Sequence, residues 1–154
     1  MATGVCVSTV AQIVESIFTT MMEIDVCATD APWQPTEDRL TSSVYLEGEW
    51  NGAVSLVCEW RQAREFAGKF LSMDPPEPVD NDVRDVLGEL ANMIGGNIKS
   101  MMAKDVRLSL PSVIDGSSYE LRICGSHIEE VVGFRFYGGD FWVLVCGRDL
   151  SLAN

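Results

Sequence analysis

The sequence predicts an α+β domain of long helices packed on an antiparallel-rich sheet. Three observations predict it. Apolar residues recur at helical spacing in three stretches, two-residue alternation replaces that period around Asn51-Gly52, and the last third of the chain is a succession of β-rich runs. With 154 residues, the length suits one domain spanning 1–154 that can bury roughly 70% of its unfolded surface.

The first element covers Val5 to Met22, where Val10, Ile13, Ile17 and Met21 keep helical spacing and no proline intervenes. Asp25 to Arg39 reads as a loop, because Asp30, Pro32, Pro35, Thr36 and Asp38 crowd into it. Val44 and Leu46, then Val54, Leu56 and Cys58, alternate with polar or small residues on either side of Asn51-Gly52, which predicts a hairpin. Ala63, Phe66, Phe70 and Leu71 restore the helical period over Arg61–Met73, and Pro75, Pro76 and Pro78 stop it. A longer helix runs from Asp80 or Asn81 to Ala103, its acidic start and its basic end at Lys99 and Lys104 matching the helix dipole. After it come a strand at Val106–Leu110, Pro111, a turn at Gly116-Ser117-Ser118, and runs at Tyr119–Cys124, Glu130–Tyr137 and Asp140–Cys146, the last two joined through Gly138-Gly139.

Charge and composition exclude several functions. The net charge is −12, so no basic stripe exists for nucleic acid or for an anionic membrane surface. No charge-free run of about 18 apolar residues is present to span a bilayer. The first basic residue is Arg39, so no basic leader segment is expected, and the terminal residues carry no lipidation signal. Cys6, Cys27, Cys58, Cys124 and Cys146 are an odd set with no C-x-x-C spacing, and His127 is the sole histidine. They read as small buried hydrophobes of a reducing compartment, the cytoplasm, rather than as a disulfide framework or metal site.

The long helix carries the functional argument. At about 100° per residue, Val83, Leu87, Leu90, Ile94, Ile98 and Met101 form one apolar stripe flanked by Val86 and Met93. Asp85, Glu89, Asn92 and Gly96 fall within roughly 60° of one another on the opposite side. An ordinary solvated face would interleave opposite charges. Here Asp85 and Glu89 are like charges at i,i+4, costing about 0.2–0.5 kcal/mol, and Met93 stands where a lysine could relieve Glu89. Gly88, Gly95 and Gly96 each cost about 1 kcal/mol against alanine in a helix interior. Gly96 extends the polar strip and suits the close approach of a partner, whereas Gly88 and Gly95, on a flank, suit close packing equally well.

The segment Asp85-Val-Leu-Gly-Glu89-Leu-Ala-Asn92 resembles the D/S-x-x-x-E-x-x-N signature of the CheC, CheX and FliY chemotaxis phosphatases. The wider run to Asn97 is similar to the CheX branch, as is the later Leu108-Ser-Leu-Pro111-Ser-Val-Ile-Asp-Gly116, although Pro111 follows Asn92 more closely than is usual there. The order of elements matches over nearly the whole chain, which implies a CheC-like fold. The resemblance implies hydrolysis of the aspartyl-phosphate of a CheY-like receiver domain. Asn92 would orient the attacking water, Glu89 would anchor the receiver through its lysine, and Asp85 and Gly96 would support binding. It implies a homodimer joined through the sheet, and no cofactor in this chain, Mg2+ belonging to the receiver. A carboxamide suits the task, being uncharged beside phosphoryl oxygens and able both to donate to and accept from water. In the first helix Glu15 is followed three residues later by Phe18, so a single site per chain is expected.

Two other functions compete with this reading. One is a non-catalytic receiver-binding or dimerisation module, whose C-terminal strands (Val131-Val132, Phe134, Phe136, Phe141, Val143, Val145) offer an edge for pairing. The other is a small-molecule-binding domain, for which no Gly-rich phosphate loop, triad or metal cluster speaks.

Overall fold

A computed structural model of the chain describes residues 5–30, 32, 38–115 and 126–148. The elements are α1 (Val7–Met22), β1 (Cys27–Thr29), β2 (Arg39–Gly48), β3 (Gly52–Glu59), α2 (Trp60–Leu71), α3 (Asn81–Met101), β4 (Val106–Leu108), β5 (Ser112–Asp115), β6 (Ser126–Phe136) and β7 (Gly139–Arg148). The strands form one antiparallel sheet in the order β1-β6-β7-β3-β2-β4, with β5 also paired to β2. The α+β architecture expected from the sequence is the one observed.

One main core lies between the helices and the sheet. Val10, Val14 and Phe18 of α1, Ala63 and Phe66 of α2, and Leu87, Leu90 and Ile94 of α3 meet Val44, Leu56, Phe134, Phe141 and Val143 of the sheet. Phe18, Phe66, Phe134, Phe136 and Phe141 touch one another at ring separations of 5.0–5.8 Å, in stacked, tilted and edge-to-face pairs. Alternation places a smaller buried group, Val57, Leu144 and Cys146, on the other face of the sheet.

Several boundaries differ from the sequence reading. β1 lies inside the expected loop, because three residues without alternation become a strand only by pairing with Gly133–Arg135. β5 was hidden likewise, since Ser112–Asp115 is fixed by its ladder with Leu40–Ser43. The first hairpin turns over Glu49-Trp50-Asn51 and not at Asn51-Gly52. The Asn51 amide nitrogen donates to the Gly48 carbonyl (3.1 Å), and Gly52 already pairs with Leu46 and Gly147. The last hairpin turns at Tyr137-Gly138, with Gly139 opening β7 at φ +109°. The turn expected at 116–118 and the strand at 119–124 lie outside the described residues.

Several apolar assignments shift as well: Met21 and Leu71, placed on the apolar periods of α1 and α2, are exposed near the C-terminal ends of those helices. Met101, placed in the α3 stripe, is 60% exposed because the helix ends there, and Met102 turns inward instead. Of the cysteines, Cys58 and Cys146 are buried, but Cys6 and Cys27 are exposed. Of the residues offered as a pairing edge, Val132, Phe134, Phe136, Phe141, Val143 and Val145 turn their side chains into the core and Val131 is exposed, while β1 pairs with Gly133–Arg135 of β6.

Candidate functional site

α3 is fixed at its N-terminus by Asp80, whose carboxylate accepts the Val83 N–H at 3.0 Å. Its apolar stripe of Val83, Leu87, Leu90, Ile94 and Ile98 is completely buried. Ser42 of β2 donates its hydroxyl hydrogen to the Leu87 carbonyl (2.8 Å, buried), pinning the turn just before Glu89. These contacts orient α3 along its length.

The opposite face carries the predicted strip. Asp85 and Glu89 are exposed, while Asn92 and Gly96 are half-buried at its margin. Among the described residues, no hydrogen bond or ion pair engages the side chains of Asp85, Glu89 or Asn92. The structure therefore brings all four residues together on one surface. The groove between the C-terminal ends of α1 and α2, lined by Met22, Glu23, Gly68 and Pro75, lies apart from them.

The glycines separate into two roles. A Cβ on Gly88 would lie 3.3 Å from the Pro111 ring, and one on Gly95 would lie 2.5 Å from Val44 Cγ2. Both glycines let the sheet and the β4–β5 connection close onto the helix. A Cβ on Gly96 meets only Leu108 Cδ2, at 3.9 Å, so that position is open toward solvent. Pro111 thus has a place: its ring lies against the gap left by Gly88.

Sequence reasoning missed Ser42 and the pair formed by Arg84 and Asp115. Arg84 donates to Asp115 Oδ2 at 2.8 Å and reaches the Val113 carbonyl, fastening β5 to the start of α3. No local signal could have shown this pairing, because its partners are 31 residues apart.

No group of three or more His, Cys, Asp or Glu side chains capable of holding a metal occurs among the described residues. No helix among them is long and apolar enough to cross a membrane. The His127 ring lies 3.8 Å from the Glu129 carboxylate on β6, away from α3.

Residues 40–135, which include α3 and the strands that hold it, match the family model described as chemotaxis phosphatase CheX. The chain belongs to the CheX family. Solved structures agree on the fold. The CheX of Vibrio vulnificus superposes with a TM-score of 0.78 at 20% identity, covering 96% of this chain and 99% of that one. The CheX of Desulfovibrio desulfuricans does so at 0.70 and 22% identity, covering 90% and 96%. A third similar structure is the CheX–CheY–BeF3–Mg2+ complex of Borrelia burgdorferi, at 0.71 and 18% identity over 91% of this chain and 96% of that one. A search of curated proteins finds no match.

Proposed function

We propose that this CheX-family protein hydrolyses the aspartyl-phosphate of a CheY-like receiver domain, with Asn92 positioning the water. The observation that carries this reading is the pairing of Glu89 and Asn92 on the open face of α3, both without partners among the described residues. Water attacks phosphorus as the bond to the aspartyl oxygen breaks, leaving inorganic phosphate and a free carboxylate. Little new covalent bonding assists such a transition state, so orientation of the water carries much of the effect.

The Asn92 carboxamide can accept a hydrogen from that water and donate toward a phosphoryl oxygen without charge repulsion. Glu89, one turn earlier, reaches toward the receiver's lysine in a charge-assisted contact. Asp85 supports docking, and Gly96 leaves the surface low enough for the partner to approach. Mg2+ belongs to the receiver and not to this chain. The protein works in the cytoplasm as a homodimer joined through its sheet.

The test is the decay of a receiver phosphorylated with acetyl phosphate and then freed of the donor. The parent protein accelerates decay. Asn92→Ala does not, and it keeps the parent's circular dichroism. Equal acceleration by both proteins overturns the assignment.

A further inference from the structure

Leu110 is 88% exposed, more than any other large apolar side chain among the described residues. A single exposed leucine is ordinarily unremarkable. This one sits on a backbone that is fixed on both sides. The Ser109 N–H donates to the Tyr45 carbonyl (2.8 Å), the Tyr45 N–H donates to Ser109 Oγ (2.9 Å), and that hydroxyl donates to the Leu110 carbonyl (3.0 Å). On its other flank, the Pro111 ring lies against Gly88 and the Val113 carbonyl accepts from Arg84. The connection cannot swing inward to bury the leucine without breaking these contacts.

Its location is as specific as its rigidity. Leu108 lies opposite Gly95 and Gly96, and Pro111 opposite Gly88, so the connection runs antiparallel along α3. Leu110 therefore stands beside the turn that carries Glu89 and Asn92. Gly88 and Asn92 are only about 40° apart around the helix, which makes the connection the immediate neighbour of the amide.

We infer that Leu110 is a preformed apolar docking contact for the receiver domain, seated on an apolar patch beside the phosphorylated pocket as Asn92 enters. This rests on the proposed function of the strip. The occupant follows from continuity, because a protein that closes over Asn92 must also meet the adjoining leucine. An ordered apolar anchor adds affinity with little ordering cost, and its position selects among receivers by what borders their pocket. The partner surface it fits is apolar at that border and free of acidic groups facing Asp85 and Glu89.

The test compares Leu110→Ser, Leu110→Met and, as a control at an exposed apolar site on α2, Leu71→Ser. Each is measured for receiver decay across receiver concentrations, with Asn92→Ala alongside. Leu110→Ser raises the half-saturating receiver concentration roughly tenfold with an unchanged maximal rate. Leu110→Met and Leu71→Ser stay within about twofold of the parent. If Asn92→Ala abolishes decay while Leu110→Ser leaves half-saturation unmoved, the docking contact is refuted and the proposed function stands. A change confined to self-association, read by sedimentation, assigns Leu110 to a second copy of this chain and also refutes it. If Asn92→Ala has no effect on decay, the proposed function fails. Leu110 is then judged by binding of a receiver loaded with beryllofluoride and Mg2+, where equal affinity of Leu110→Ser and parent rejects the contact.

Discussion

α1 and α3 pose the same question to the sequence and answer it oppositely. Each places a glutamate three residues before a position that, in α3, holds the candidate amide. In α1 that position is Phe18, which is completely buried, stacked on Phe141 at 5.0 Å and edge-on to Phe66 at 5.0 Å. In α3 it is Asn92, half-buried on the open face with no hydrogen-bond partner among the described residues. The spacing is identical, so spacing alone does not make a site. Polarity at the third position decides whether that position joins the core or remains available to a partner. The helices also begin differently. Asp80 caps α3 through its carboxylate, whereas Cys6 precedes α1 and makes no side-chain cap.

The largest expected effect tests the open half of this contrast. Asn92→Ala lowers the maximal rate of receiver dephosphorylation by about 10²-fold or more, the scale of losing one positioned polar group at a reacting centre. Thermal unfolding moves little, since alanine replaces a poor helix former. Phe18→Ala inverts the pattern. It costs about 3–5 kcal/mol in urea unfolding through the cavity left in the aromatic cluster, while the decay rate per folded molecule stays at the parent value.

Adjacent glycines sharpen the comparison within α3 itself. Gly95→Ala drives a methyl into Val44 and is expected to cost about 1–2 kcal/mol net, overpacking outweighing the gain in helix propensity. Gly96→Ala gains up to about 1 kcal/mol in the same unfolding assay, yet slows receiver decay several-fold because the methyl narrows the approach.

The smallest effect concerns the start of α1. Hydrogen bonds from the Ser8 and then the Thr9 hydroxyl hold the exposed Cys6 thiol down at about 7. Burial pushes Cys146 up to about 11 with help from Glu129, and burial beside Glu59 pushes Cys58 up further. A thiolate is the reactive form, so alkylation of Cys6 rises as pH increases through about 7. Cys58 and Cys146 react with iodoacetamide only after unfolding. Peptide mapping across pH 6–8.5 measures this, and labelling of Cys6 no faster at pH 8 than at pH 6 contradicts it.

Much of the molecule was legible from local pattern. The three helices, the first hairpin and the buried face of α3 all follow from periodicity, which reports burial directly because each element presents one side to the core. The grouping of Asp85, Glu89, Asn92 and Gly96 follows from helix geometry, since four residues within one helix need no tertiary information to share a face. β1 and β5 were not legible, because three or four residues adopt strand geometry only when a neighbour supplies hydrogen bonds, and their partners are distant in sequence.

By itself, then, the sequence determined that a long helix turns a glutamate and an asparagine away from its apolar stripe. Only the tertiary structure decided what stands next to them: Ser42 pinning Leu87, Arg84 fastened to Asp115, and Pro111 seated on Gly88 with Leu110 raised alongside. The reason is range. Helical phase repeats every 3.6 residues and is encoded locally, whereas these neighbours come together only after the sheet has closed the distance between segments remote in the chain.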